Sequence, residues 1–201
     1  MKKWLGFLGA TALLIAAFMV LPIHGEAGLY DNVIRLHVLA NSDSDEDQAL
    51  KLVVRDAVVA ESEKLLAEVT DRATAQAVLE DALPDIKAVA ERALAEVGAS
   101  APVSVTLTEE EYPTREYEQL AFPAGRYLSL RVMIGEAEGK NWWCVLFPPL
   151  CLSAATDQRE QETVCLAAGL TGEQYRLIAD TDSTKYKLRF KILEVAEELF
   201  G

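Results

Sequence analysis

The side chains with the most specific chemistry in this chain crowd into one stretch, Gly139–Cys151. It reads Gly-Lys-Asn-Trp-Trp-Cys-Val-Leu-Phe-Pro-Pro-Leu-Cys and holds two of the three tryptophans and two of the three cysteines. Two kinds of chemistry are open to it. Trp142, Trp143 and Phe147 can anchor a partner, because large rigid aromatics dominate protein interfaces. Cys144 and Cys151 can staple a loop. The ordinary fate of such aromatics is burial in the core. On an alternating strand Trp142, Cys144 and Leu146 share one face, and Trp143, Val145 and Phe147 the other. One face must be core, so the tryptophan on the opposite face is the one left for a partner. Pro148-Pro149 ends the strand, since neither residue can donate to a ladder.

The cysteines leave three readings open. Cys144 and Cys151 are separated by six residues that include Pro148-Pro149, which can fold the chain back and bring the β-carbons together. Cys151 with Cys165 is a second pairing, and three free thiols are the third. An oxidising compartment favours a disulfide, and an odd count leaves one thiol over.

Motifs with catalytic or metal chemistry mostly fail on inspection. Gly135-x3-Gly139-Lys140-Asn141 imitates a phosphate loop but is one residue short between its glycines and lacks the hydroxyl after the lysine. Asp43-x-Asp45-x-Asp47 imitates the start of a calcium loop, yet Gln48 stands where glycine belongs and Val54 where glutamate belongs. Helix capping explains those acids better. Asp180-Thr181-Asp182 lacks the glycine and the second copy of an aspartic-protease site. His24 lies in the amino-terminal apolar region, so His37 stands alone on a strand and reads as a structural, hydrogen-bonded or half-exposed histidine. With 32 acidic residues, a carboxylate pair for glycoside hydrolysis is not singled out by any spacing. No cofactor is implied.

The elements that must position these residues can be read from periodicity. Asn32–Asn41 alternates as a strand. Ser42-Asp43-Ser44 then caps a helix to about Glu68, with Leu50, Val53, Val54, Ala57, Val58 and Leu65 on its apolar stripe and Lys51, Arg55, Glu61 and Lys64 elsewhere. Thr70-Asp71 caps a further helical segment. Pro84 is expected to start a new helix that ends at Gly98, one kinked helix being the alternative. Val103, Val105 and Leu107 mark a strand that Glu109-Glu110-Glu111 ends as a solvated charge run. Tyr112–Tyr117 reads as irregular or edge structure around Pro113. Pro123-Ala124-Gly125 turns into a strand through Leu128, Leu130, Val132 and Ile134, and Trp142–Phe147 follows as the next. Asp157–Leu166 reads as partly helical and Glu173–Ile178 as a short helix. A last helix carries Leu188, Ile192, Val195 and Leu199. Helices clustered after one strand, then consecutive strands, predict an α+β fold: an antiparallel sheet with helices packed on one face.

Bulk properties place the chain. Met1-Lys2-Lys3 precedes an uncharged run of 18 residues, Trp4–Leu21, then Pro22 and Gly25-Glu26-Ala27. That is a secretory signal, cleaved after Ala27 or Gly25, or an amino-terminal anchor long enough to span a bilayer. Residues 1–27 are expected to be this segment and residues 28–201 one exported domain. The membrane is then touched only through the amino terminus. The formal charge of −13 disfavours nucleic acid and anionic lipid.

The same residues also carry a resemblance. Ile34-Arg35-Leu36-His37-Val38 with Ala40-Asn41-Ser42-Asp43-Ser44, then Asp47-Gln48, Lys51-Leu52 and Val54-Arg55-Asp56, resemble the amino-terminal signature of the stage II sporulation protein R family. So do Tyr112-Pro113-Thr114-Arg115, Pro123-Ala124-Gly125, Arg131-Val132 with Gly135, the whole of Gly139–Cys151, and Lys187-Leu188-Arg189-Phe190-Lys191 near the end. The likeness covers roughly Asn32–Leu152 and the last helix.

That resemblance implies a signalling protein of endospore formation without catalytic residues of its own. It would be exported from the forespore into the intermembrane space of the septum. There it would meet the extracytoplasmic face of a membrane-embedded aspartic protease, which processes the precursor of the early mother-cell sigma factor. The expected partner contacts are Trp142, Trp143, Phe147 and Pro148, with Arg35, His37, Tyr112 and Arg115 as polar contacts. The competing hypothesis is a wall-modifying hydrolase of the same space, which requires a cleft with convergent carboxylates of separated pKa.

Overall fold

The computed structural model describes residues 28–117, 120–151 and 158–179. Along the chain these form β1 (Ile34–Leu39), α1 (Asp45–Leu66), α2 (Arg72–Glu96), β2 (Val103–Tyr112), β3 (Arg115–Tyr117), β4 (Leu120–Phe122), β5 (Gly125–Ile134), β6 (Asn141–Phe147), α3 (Gln158–Ala167) and α4 (Gly172–Ala179). The fold is α+β. The amino-terminal segment and the last expected helix, with Leu188, Ile192, Val195 and Leu199, lie outside the described residues.

The main sheet has four strands in the order β2-β5-β1-β6. Its pairings β2–β5 and β1–β6 are antiparallel, but β1 and β5 run parallel, which corrects the all-antiparallel expectation. The cause is the connection. The chain leaves β1 through two helices and lays down β2 two places away, so β5, returning antiparallel to β2, enters the gap beside β1 in β1's own direction. Parallel neighbours need such a long crossover.

Helices α1 and α2 cover one face, where Ile34, Leu36, Val38, Leu128, Leu130 and Val132 meet Val54, Val58, Leu79, Ile86 and Leu94. The other face is not left open, as expected, but is half covered. The hairpin β3–β4, α4, and Leu29 and Val33 ahead of β1 close over Tyr112, Tyr127 and Val145. All six residues of β1 are therefore buried, although its sequence alternates.

The helix ends follow their capping chemistry. Ser44 Oγ accepts from the Asp47 backbone N–H at 3.1 Å, and Asp45, Glu46 and Asp47 fill the first turn of α1. Asp71 Oδ1 accepts from Thr74 N at 2.9 Å to open α2. Helix α2 is continuous through Pro84 rather than restarting there. Its buried residues Ala75, Leu79, Ala82, Ile86, Ala90 and Ala93 keep phase across the proline. Pro84 and Glu80 are both exposed, so water can satisfy the carbonyl that the proline leaves unpaired. At the carboxyl end Gly98 takes a φ of 75° while Ala99 N donates back to Leu94 O at 3.0 Å.

Two more expectations are corrected. The run Glu109-Glu110-Glu111 does not end β2 but lies inside it. Glu109 turns to the helix side and pairs with Arg72 at 3.5 Å, while Glu110 turns the other way. Lys51, expected to face solvent, is buried, and its Nζ donates to Gln48 Oε1 at 2.6 Å and to the Lys140 carbonyl at 2.9 Å.

Lys51 belongs to a clasp between the 40–44 segment and the β5–β6 loop. Lys140 N donates to Asp43 Oδ1 at 2.6 Å, Gly139 N to Ala40 O at 2.9 Å, and Glu136 N to Asn41 Oδ1 at 3.0 Å. A β-carbon on Gly135 would collide with Asn41, and one on Gly139 with the Ser42 carbonyl. The two glycines of the failed phosphate loop are thus there for close approach of backbone, not for an anion.

Candidate functional site

Strand register assembles the site. On the face away from α1 and α2, one cross-strand row reads Thr106, Arg131, His37, Trp143 across β2, β5, β1 and β6. The row beside it reads Thr108, Ser129, Arg35, Val145. The second row lies under the β3–β4 hairpin and the first lies at its edge. The central strand therefore contributes one buried cation, Arg35, and one residue at the boundary, His37.

Arg35 is fully buried in an aromatic box. Its guanidinium carbon sits 4.5 Å from the ring centre of Tyr112, 5.1 Å from Tyr127 and 5.3 Å from Phe122. Nε donates to the Cys144 carbonyl at 3.1 Å and Nη2 to the Tyr117 hydroxyl at 2.8 Å, while Nη1 is buried without a hydrogen-bond partner. Burial pushes the hydroxyl pKa values of Tyr112 and Tyr117 up. Tyr112 shares a 2.7 Å hydrogen bond with Ser129 Oγ. Arg35 and Tyr112 are thus supports inside the protein, not displayed contacts.

His37 is 8% exposed. Nδ1 lies 3.2 Å from Glu110 Oε1 and Nε2 lies 3.0 Å from Asn141 Oδ1. A doubly protonated ring donates to both; a neutral ring requires Asn141 to turn its amide nitrogen inward. Arg131 Nε approaches the same Glu110 oxygen at 3.4 Å. Burial raises the Glu110 carboxyl pKa, but the hydrogen bonds from His37 and Ser129 and the charges of His37 and Arg131 outweigh it and hold the group below its ordinary value. The ring of His37 also packs 5.3 Å from Trp143.

Arg115, on β3, lies over Trp143 with its guanidinium carbon 3.7 Å from the ring centre. Both residues are half-buried. The structure therefore brings Arg35, His37, Tyr112, Arg115 and Trp143 together, five of the residues expected as partner contacts.

The other three go elsewhere. Trp142 faces the helices, half-buried, with Arg55 of α1 at 4.9 Å from its ring centre. Phe147 is 1% exposed and joins the helix-side core, which removes it as a contact. Simple alternation places it with Trp143, but the β1–β6 register shifts between Ile34 and Arg35, so that Arg35 faces Val145 while Ile34 faces Phe147. Pro148 follows it into burial. Cys144 and Cys151 form a disulfide with a Cα separation of 5.4 Å, while Cys165 is buried and its thiol is pushed up to about 12 by that burial.

Three participants escaped the sequence reading. Glu110 was hidden in an acidic run, Arg131 was read only as the polar phase of β5, and Tyr117 lay in a stretch without periodicity. The polar phase of each strand was the available signal, since Glu110, Arg131 and His37 all occupy it. Among the described residues no group of three or more His, Cys, Asp or Glu side chains converges as a metal site.

Comparison with known proteins gives the family. The family model described as stage II sporulation protein R matches residues 30–157, which contain every residue of this face. Stage II sporulation protein R of Bacillus subtilis is 41% identical over 138 residues, 66% of this chain and 62% of that protein. The match thus spans less than two thirds of that relative's own length. No solved structure matches the chain. The family model alone covers well over half of the sequence, and the chain belongs to the stage II sporulation protein R family.

Proposed function

We propose that this protein is an exported signal of sporulation. It passes from the forespore into the intermembrane space of the septum, directed or anchored by residues 1–27. There it activates the membrane-embedded aspartic protease that processes the precursor of the early mother-cell sigma factor. The observation that carries the reading is the family match, because residues 30–157 span both the Trp143 row and the hairpin that frames it. The −13 charge and the amino-terminal apolar run agree with an exported protein that engages the membrane only at its amino terminus.

On this reading the protein contributes binding energy rather than a reacting group, and the protease supplies the paired carboxylates of its own chemistry. The half-exposed Arg115 and Trp143 make the direct contact, His37 lies at its floor, and Arg35 and Tyr112 hold that floor in place.

The test is reconstitution. The purified protein is added to vesicles that carry only the protease and its pro-protein substrate. Processing that depends on the added protein is the expected result. Processing at the same rate without it, or none with it, would remove the activator role.

A further inference from the structure

We infer that the open half of the sheet's second face, the Thr106–Arg131–His37–Trp143 row with Arg115 above it, is a docking surface for an acidic protein segment that presents a carboxylate beside an aromatic side chain. This deepens the activator reading and rests on it for the identity of the partner, but not for the chemistry of the surface.

The first support is charge. The chain as a whole carries −13, yet on this face three guanidinium groups, Arg35, Arg115 and Arg131, stand against one inward carboxylate, Glu110. Arg35 is sealed beneath and has no carboxylate among its contacts, so its charge is uncompensated at short range. A low-dielectric wall of Tyr112, Tyr127 and Phe122 projects that charge outward rather than screening it. An incoming carboxylate is attracted here and repelled by most of the rest of the protein.

The second support is shape and composition. Trp143 offers a partner only part of its ring, because Arg115 already lies on it. Arginine stacked on tryptophan keeps its edge N–H groups free of the stacking direction, so the pair can bond a carboxylate in plane while the ring takes an apolar side chain. Arg131 retains 35% side-chain exposure while sharing Glu110. Thr106, opposite Arg131 in the register, brings a short hydroxyl that leaves room above it. Beyond the hairpin no described element covers this row, whereas α1 and α2 fill the opposite face.

A peptide carboxylate fits better than a phosphate-rich partner. Glu110 stands at the centre of the row and would repel a group of two negative charges more than one of a single charge. The surrounding acidic surface would keep a polyanion such as nucleic acid or an anionic bilayer at a distance.

The probe is a random copolymer of glutamate and tyrosine, titrated into the purified full chain with tryptophan fluorescence as readout. Saturable quenching is expected. It should weaken about tenfold or more in the double variant Arg115→Gln/Arg131→Gln, and equally in Thr106→Glu, which plants a competing carboxylate opposite Arg131 without removing any packed group. Arg92→Gln, a lost charge on the exposed side of α2, should stay within about twofold. Unchanged binding in Thr106→Glu would overturn the proposal even if the double variant failed to fold. Arginine-dependent binding to phosphatidylglycerol vesicles with none to the copolymer would overturn it in favour of a lipid. Reconstituted processing separates the two readings: arginine-dependent copolymer binding without processing removes the activator role and keeps the surface, and processing that survives Thr106→Glu removes the surface and keeps the activator.

Discussion

The Arg115 guanidinium lies 3.7 Å above the centre of the Trp143 ring, and the two belong to different sheets. The contact joins the small β3–β4 hairpin to the edge strand β6. It fixes the angle at which both side chains meet solvent, so either residue alone presents a different surface from the pair.

Replacing Trp143 or Arg115 by alanine should therefore cost function more than stability. A half-exposed cation–π pair contributes about 0.5–1 kcal/mol to the fold. A central tryptophan or arginine at an interface costs about 2 kcal/mol or more in binding, roughly thirtyfold in affinity. Pro-protein processing should fall sharply in both variants while thermal melting and export stay close to the parent. If activity declines only in step with lost folding, both residues belong to the scaffold and the contact surface lies elsewhere.

Arg35 should behave in the opposite way. Its removal leaves the Cys144 carbonyl and the Tyr117 hydroxyl without their donor inside a closed aromatic box. Breaking a buried charged contact of this kind costs about 3–5 kcal/mol. Arg35→Ala should show that loss in urea denaturation, and Arg35→Lys should recover little, because an ammonium cannot stack flat and bond in two directions at once. A stable Arg35→Ala protein that fails to activate would instead make Arg35 a contact residue.

Period-two alternation was enough to separate Trp142 from Trp143 and to find β5, because neighbouring side chains on a strand must point apart. It failed at Phe147, where the register shift against β1 turns the residue to the helix side, and no local pattern announces a shift set by another strand. The Pro84 helix was ambiguous for a physical reason: an exposed proline costs one hydrogen bond that water can replace, so an unbroken apolar stripe prevailed. Glu110 was illegible. Three consecutive glutamates look alike until the sheet decides that the middle one faces His37 and Arg131. The burial of Arg35 was equally hidden, since it depends on a three-residue hairpin arm closing over a strand about 80 positions away in sequence.

The disulfide should matter to the fold locally. Cys144 lies on the helix side of β6 and Cys151 beyond the proline pair, so the bridge closes a loop of sequence separation 7. Chain entropy assigns such a small loop about 2–3 kcal/mol. Cys151→Ser should lower the urea midpoint by that amount, and non-reducing mass analysis of the exported protein should show two hydrogens fewer than its reduced form. Three freely alkylated thiols in the native protein would refute the bridge. Cys165 should resist alkylation until the protein unfolds, since it is buried and its thiol is held up to about 12.

Glu110 gives the fold an acid-sensitive component of known sign. Its carboxyl is held below the ordinary value in the folded protein, because the hydrogen bonds and charges of His37, Ser129 and Arg131 prevail over the opposing push of burial. A depressed carboxylate stabilises the native state fully above its unfolded pKa, and that contribution disappears as the pH falls through the folded one. Glu110→Gln should therefore be less stable than the parent at neutral pH, with the gap closing below about pH 4.5, where the unfolded parent takes up its proton. Urea denaturation of both proteins between neutral and acid pH measures the gap directly. Parallel curves across the whole range would mean that Glu110 gains nothing from His37 and Arg131, and that the row is held by packing against Trp143 alone.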